Sequence, residues 1–446
     1  MDDSARTCIS ALVSRDTRGH QFVVLADVNS GIPGEIAAEH FSALSEVLQQ
    51  LSPSPEFILW CGDHVAGYTS DDQLRTQWQY LLQHEMAWSQ HKPYPIYHVP
   101  GNHDTYDESS EGVFREMLPE VPQNGPIGQQ GLSWWSIFDD MLLVGIDTCS
   151  SALGNGQLDL EWLELVLREH ADIRHKVVFG HFPVFPVNGY EVDGAIPWLL
   201  EPAVGQSFWN CLVRYGVTAY FCAHIVAFDA QVHEGVLQIV TAGGGAVCGP
   251  GGMMGPDEYF HLTQVALDDE GMQVQTVDMN GVVREAFAWP ICLAEQQSIP
   301  LEVGEASSEA APLHVWHFQG QHRASSGRRH EQLLLSGTDN TVDPASIWIG
   351  LEHPTPVVTV RLLLGTGGMI QTWLGPALEA GAPFEFQIAL DRRMGPGGVL
   401  YRLNCESPWS SLWTASSQGA ERFNWPHANW PGCWRVGEQV LVTKLI

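Results

Sequence analysis

The chain has 446 residues, 44% of them hydrophobic and only 16% charged, which is ample material for a buried core and excludes wholesale disorder. At about 150 residues per domain, two or three domains are expected. Lys and Arg number 21 against 52 Asp and Glu, a formal net charge of −31, and such a surface repels nucleic-acid backbones and anionic membranes.

The acidic start MDDSARTCIS has no apolar leader core. No apolar run approaches the roughly 18 residues that a membrane-spanning helix needs. The nine cysteines are scattered, odd in number and form no CxxC pair. They read as free thiols in a reducing compartment, not as a disulfide framework or a thiolate zinc site. The expectation is a cytoplasmic protein with no nucleic-acid or membrane partner; a homo-oligomer is left open.

Residues 1–20 read as a polar lead-in. Phe22–Ala26 (FVVLA) is a buried-strand run, and Ile36, His40, Leu44 and Leu48 have helical spacing. Phe57–Trp60 predicts a second strand, Gln73–Met86 a helix, and Ile96–Val99 a third strand. Met141–Ile146 predicts a fourth strand, Leu158–His170 a helix, and Val177–Phe179 a fifth strand. Ser207–Tyr215 predicts a short helix and Ala219–Cys222 a sixth strand. Continuous apolar strands separated by helices predict an α/β sheet covered on both faces. After Leu237–Thr241 the pattern is strand-only, through Val265 and Val274.

The polar, acidic stretch 295–312 reads as a linker that ends a first domain of residues 21–294. Beyond it, Phe384–Leu390 alternates with period two, Val357–Leu364 is a long strand-like run, and Gly/Pro turns recur. Eight of the 17 tryptophans lie in 313–446. This segment is expected to be an all-β sandwich whose tryptophans fill its core, in preference to forming a sugar-binding face. It would cover the catalytic mouth or form a dimer contact.

Five apolar strands end in the same way, with metal-ligand residue types just past the last apolar position. They are Asp27-Val-Asn29, Gly-Asp63-His64, Gly-Asn102-His103-Asp104, Gly-His181 and Ala-His224-Ile-Val226. Ligands of open α/β sheets bind beyond the carboxyl ends of the strands. Asp and Asn oxygens with His nitrogens suit a borderline divalent ion such as Zn, Mn or Fe. A lone GD or GH pair is usually a turn. His84, His91 and His98 have no motif context and read as surface or satisfied histidines, and Cys61 as packed.

In order and content these blocks resemble the calcineurin-like metallophosphoesterases, including the purple acid phosphatases, over roughly residues 21–290. The later QIVTAGGGAV stretch (238–247) is similar to the family's Gly-rich strand. The resemblance implies a four-layer α/β/β/α sandwich around a dinuclear metal centre. It implies one ion on Asp63, Asn102, His181 and His224, and another on Asp27, the residue at 29, Asp63 and the residue at 226. The family's histidines at 29 and 226 are here Asn29 and Val226, so the site that includes Asp27 lacks both imidazoles. Tyr68, His64, and His233 or His261 are the substitutes that the sequence offers. The cofactor expected is one or two divalent transition-metal ions, a mixed pair included.

The function so implied is hydrolysis of a phosphoric monoester by a metal-bound hydroxide. His103 would stabilise or protonate, with Asp104 orienting it. The long Gly-, Pro- and Trp-rich segments Glu108–Trp135 and Pro183–Trp198 suggest a lid. The expected partner is a small-molecule phosphate ester, bulky and organic, with a phosphorylated natural product as one candidate. A phosphodiesterase acting on a cyclic nucleotide or phospholipid head group is the alternative enzyme. A pseudoenzyme scaffold with a decayed metal site is the non-catalytic reading. The C-terminal segment loosely resembles the laminin-G/concanavalin-like sandwiches.

Overall fold

A computed structural model describes residues 9–10, 19–91, 94–187, 199–246, 259–291, 299–300, 313–322, 332–338, 346–352, 355–364, 369–414, 433–436 and 440–445. Two six-stranded sheets form the first domain. One runs, edge to edge, Val283–Trp289, Gly271–Asp278, His261–Asp268, His20–Leu25, Phe57–Cys61 and Ile96–Val99. The other runs Phe228–His233, Val236–Thr241, Ala219–Cys222, His175–Phe179, Met141–Gly145 and Trp134–Phe138. In the second sheet the middle is parallel and antiparallel strands close both edges. In the first, His20–Leu25, Phe57–Cys61 and Ile96–Val99 are parallel and the other three strands are antiparallel. Parallel strands need crossovers, and the helical spacing in the sequence supplies them.

The two sheets pack face to face. Phe22 stacks on Phe57 at 4.8 Å and meets Phe221 of the opposite sheet edge-on at 5.9 Å. Helix Ile36–Gln50 covers the first sheet, with Phe41 against Trp60. Helices Leu160–Glu169 and Pro202–Arg214 cover the second through Leu163, Leu167, Phe208 and Trp209. The result is the four-layer α/β/β/α sandwich. Helix Asp71–Tyr80 ends earlier than its expected limit at Met86, and a π-helical turn, Leu81–Glu85, continues it. Helix Pro202–Arg214 starts five residues before the expected Ser207, because Pro202 fits a first helical turn.

Two antiparallel sheets from the C-terminal segment share one core. Trp316, Phe318, Phe386 and Ile388 of one meet Leu335, Ile349, Val360 and Trp373 of the other. Trp316 and Trp373 are fully buried, as expected of core tryptophans. The loose resemblance to laminin-G/concanavalin-like sandwiches stays an expectation from the sequence. Most of the expected linker, as well as Trp425 and Trp430, lies outside the described residues. Within that linker, Ile299–Pro300 pairs with Thr443–Lys444.

The sandwich is docked on the first domain. Val315, Ala389, Met394, Leu400 and Trp409 belong to the same continuous core as Met272 and Trp289. Val232 N–H donates to Ser411 Oγ (2.9 Å), and Gly235 N–H to the Trp409 carbonyl (2.9 Å). The edge strand Phe228–His233 is thereby covered, which removes a pairing edge. Trp409→Ala, which empties the centre of this contact, should cost about 3–5 kcal/mol in chemical denaturation. A first-domain transition unmoved by this change would show that the two parts fold independently.

Candidate metal centre

All five strand-end blocks converge at the carboxyl edge of the two sheets. Among the described residues, eight non-glycine residues have positive φ, and five of them, Asp27, Asn29, Asp63, Tyr68 and His224, sit here. Strain of this kind persists only where surrounding contacts over-determine it, and it concentrates at functional sites. The contacts are explicit. Val28 and Asn29 N–H donate to the Asp63 carbonyl (2.9 and 3.0 Å), and His224 N–H donates to Asp27 Oδ2 (3.0 Å). Gly101 must be glycine, because a Cβ there would lie 2.2 Å from Asp63 Oδ1.

His181 is fully buried, and its Nδ1–H donates to the Cys61 carbonyl (2.8 Å). A carbonyl only accepts, so the lone pair of a neutral His181 is on Nε2. That nitrogen faces Asn102 Oδ1 at 3.0 Å, His224 Nδ1 at 3.2 Å and Asp63 Oδ1 at 3.4 Å. Asn102 Nδ2 donates to Tyr68 Oη (3.0 Å), which turns the amide oxygen inward. Acceptor atoms brought face to face in a buried place need a positive charge between them.

The electrostatics say the same. Burial disfavours charge on His181, but the carboxylates of Asp63 and then Asp27 outweigh it and hold the imidazole up to about 9. Burial also raises the Asp63 carboxyl, but His181 and His103 outweigh that and hold it well below the ordinary carboxylate range. Burial, opposed by His181 and reinforced by Asp63, pushes Asp27 up to about 8. Burial and His181 hold His224 down to about 3. Near neutrality the edge therefore carries a proton on His181 and one on Asp27, where a divalent cation would serve instead.

The donors Asp63, Asn102, His181 and His224 fit a metal ion. Ligand atoms of Asp63, His181 and His224 lie within 4.8 Å of one another. The other expected site is poorer. Asp27 and Asp63 are present, and Asn29 Oδ1 is buried without a hydrogen-bond partner, an orphan acceptor that a cation would satisfy. Val226 is buried and offers no donor atom.

None of the three imidazole substitutes is turned toward Asp27. His64 Nδ1–H donates to Asp104 Oδ2 (2.8 Å), and its Nε2 meets His98 Nδ1 at 3.0 Å. His233 stacks on Phe185 at 3.5 Å. His261 bonds the Tyr259 carbonyl (2.9 Å) and Thr241 Oγ1 (3.3 Å). Tyr68 reaches the site, but at Asn102.

His103 N–H donates to Asp63 Oδ1 (2.9 Å), and its Nδ1–H to the Ala66 carbonyl (2.7 Å). This leaves Nε2 facing the cluster, 3.9 Å from Asp63 Oδ2. The expected role of Asp104 needs correction. Asp104 is fully buried and does not orient His103. It accepts from His64 N–H (3.0 Å), Val65 N–H (3.4 Å), Gly101 N–H (2.9 Å) and His64 Nδ1–H. It binds the Asp63 loop to the Asn102 loop, since two N–H rows left at strand ends both need an acceptor.

The Asp104–His64–His98 chain was not legible, because those residues meet only when two strands are adjacent. Asp147 was legible: it too follows an apolar strand. It is buried, with Oδ2 unpartnered, and burial lifts its carboxyl to about 7. Two further groups with ligand types, His317/Glu385/Cys405 and His20/Asp139/Asp140, lie elsewhere. In each the histidine is engaged with carboxylate: His317 with Glu385, His20 with Glu56 and Asp140.

An α/β/β/α sandwich with Asp, Asn and His at its strand ends is the arrangement that the resemblance to the metallophosphoesterases implies. Residues 20–228, just under half of the chain, match the family model for calcineurin-like phosphoesterase. The chain is 23% identical to the serine/threonine-protein phosphatase CPPED1 of Danio rerio over 212 residues, and 24% identical to that of Mus musculus. Each match covers 46% of this chain and 64% of the relative, just under two thirds of those proteins. Among solved structures, the purple acid phosphatase PPD1 from yellow lupin (Lupinus luteus) seeds is 13% identical, covering 62% of this chain and 55% of that one, with a TM-score of 0.46. GAP50, the anchor in the inner membrane complex of Plasmodium, is 16% identical, covering 60% and 88%, with a TM-score of 0.42.

Metal uptake should release protons, because the cation displaces those on His181 and Asp27. The sign follows from the raised values: below about pH 9 the His181 proton competes with metal, so affinity rises with pH and flattens above it. Calorimetry in buffers of differing ionisation enthalpy should count about one proton for the first ion at pH 7, and about one more for a second. His181→Ala should abolish binding of the first ion. A proton count of zero, or a fully loaded His181→Ala protein, would remove this assignment.

Proposed function

We propose that the chain is a metal-dependent phosphoric monoester hydrolase. The observation that carries this reading is the set of converging acceptors around His181 Nε2, with His103 Nε2 facing the same place, 3.9 Å from Asp63 Oδ2. A divalent ion bound by Asp63, Asn102, His181 and His224 would neutralise phosphate charge and lower the pKa of water. Everything else falls to the protein. Asp63 and Asn102 are oriented through backbone and Tyr68 contacts, and the burial of His181 and Asp63 keeps water from screening the site.

His103 in its charged form presents Nε2–H toward the cluster, because Nδ1–H is committed to Ala66. As the ester P–O bond breaks and a new P–O bond to water forms, the Nε2 proton passes to the leaving oxygen. The proton shed by the attacking water restores His103 afterwards. Support for a bulky organic substrate, such as a phosphorylated natural product, is the length and aromatic content of the segments between the motifs. Part of the second segment, 188–198, lies outside the described residues. The curated relatives' name adds phosphoserine and phosphothreonine to the substrates worth assaying.

His103→Ala should lower kcat for an aryl phosphate by about 100-fold or more with metal content unchanged. Near-normal kcat would exclude this role. A second reading concerns stoichiometry: Asn29 and Val226 favour a weak second ion, lost first on mild chelation. Restoring both imidazoles with Asn29→His and Val226→His should tighten it by about 10-fold or more, read by elemental analysis. An active protein with one ion per chain, indifferent to added metal, would establish a mononuclear enzyme. A panel of aryl phosphate, bis-aryl phosphodiester and phosphoserine peptide separates monoesterase from diesterase. A protein that binds metal and turns over none of them is the binding scaffold.

A further inference from the structure

Tyr68 is a bulky aromatic residue in the left-handed backbone region, with φ of 47°, yet the residue is 59% exposed. Burial therefore does not explain why the chain tolerates this conformation. Its loop is pinned at every step. Ala66 N–H donates to the Ser30 carbonyl (2.9 Å), and the Ala66 carbonyl accepts from His103 Nδ1–H (2.7 Å). Gly67 N–H donates to Gln77 Oε1 (2.9 Å), and a Cβ on Gly67 would lie 1.8 Å from the His103 carbonyl oxygen. Thr69 N–H donates to Tyr106 Oη (3.0 Å), which in turn donates to the Thr69 carbonyl (2.7 Å).

These contacts aim one side chain. The Tyr68 ring stacks on Tyr106, centroids 4.9 Å apart, and stands edge-on to His103 at 4.9 Å. Its oxygen accepts from Asn102 Nδ2 (3.0 Å), the amide whose other end faces His181. A phenol has one hydrogen to give, and here its acceptor role is filled by Asn102. The O–H is left to donate at the open side of the cluster, beside His103. Strain kept by a web of contacts, at an exposed aromatic, is the mark of a functional position.

We infer that Tyr68 is a further catalytic residue, one that donates its hydroxyl hydrogen to a non-bridging oxygen of the phosphoryl group. This rests on the phosphatase reading of the same site. Two neutral or cationic donors, Tyr68 O–H and His103 Nε2–H, would then face the group from the side away from the cation. Charge that builds on the phosphoryl oxygens would meet donors already in place. Tyr68 is not assigned as a metal ligand, because its oxygen is directed to Asn102 Nδ2 and no bond to Asp27 or Asp63 is formed.

The test is Tyr68→Phe, which keeps the ring on Tyr106 and removes only the hydroxyl, in the metal-loaded full chain. Turnover uses p-nitrophenyl phosphate, and binding uses inorganic phosphate by calorimetry. The expected result is a fall in kcat/KM of about 10-fold or more, with phosphate bound correspondingly more weakly and metal content unchanged. Metal loss in step with activity would overturn the inference, because Tyr68 would then be only a positioning residue for Asn102. Unchanged turnover and phosphate binding would overturn it as well. If the unsubstituted protein hydrolyses nothing, the phosphatase reading fails by itself. The phosphate affinities of the two proteins still decide whether Tyr68 contacts a phosphoryl group.

Discussion

One constraint organises this end of the molecule: acceptor atoms from four strands meet in a place with little water and no proton to share between all of them. Asn102 Oδ1, His224 Nδ1 and Asp63 Oδ1 lie 3.0, 3.2 and 3.4 Å from His181 Nε2, and His181 has already spent its Nδ1–H on Cys61. Buried carboxylates beside buried imidazoles settle by taking up protons or a cation. The raised His181 and Asp27 and the lowered His224 are three expressions of this single condition. The strained φ values of Asp27, Asn29, Asp63 and His224 belong to it too, since left-handed turns swing the side chains back over the strand tips.

Holding such an arrangement costs free energy, and the fold supplies rigidity around it. Asp104 accepts four hydrogen bonds from the two central loops and is sealed from solvent. Trp60 stacks on His64 at 4.6 Å, which ties this polar brace to the helix-covered face of the first sheet. The Asp104 carboxylate is bonded to His64, Val65 and Gly101, on the loops that carry Asp63 and Asn102. Its function is to fix the spacing of Asp63 and Asn102, where a shift of an ångström would misplace both donors. The C-terminal sandwich contributes at a different place, by completing the core beside Trp289 and covering the edge strand at Phe228–His233.

The departures at Asn29 and Val226 divide the centre into a complete half and a sparse half. The sparse half retains Asp27, whose neutral form burial favours, and the unpartnered Asn29 oxygen. An ion there would be held by fewer charged donors, which lowers affinity and loosens geometric selection among metals. On the proposed reading, an ion in the complete half would by itself supply the charge that activates water, so the two halves need not be equal.

Strand positions, the α/β layering and the residue types at the strand tips were determined by the sequence by itself. Apolar runs such as Phe22–Ala26 and Phe57–Trp60 are local signals, and Asp27, Asp63, Asn102, His181 and His224 each follow one directly. The tryptophans of the last segment were also legible as core, since period-two alternation places Trp316 and Trp373 on inward faces. Only the tertiary structure decided what each polar side chain touches. Asp104 is next to His103 in sequence but turns to His64, because adjacent strand tips leave N–H groups that need a carboxylate more than an exposed imidazole does. His64, His233 and His261 had the chemistry to replace a missing ligand, and packing against Trp60, Phe185 and Gly243 turned each away. Tyr68 reached Asn102 through a left-handed turn that no local pattern signals. Residue type and period are carried by neighbours along the chain, whereas the direction of a side chain is set by contacts that form only when distant strands meet.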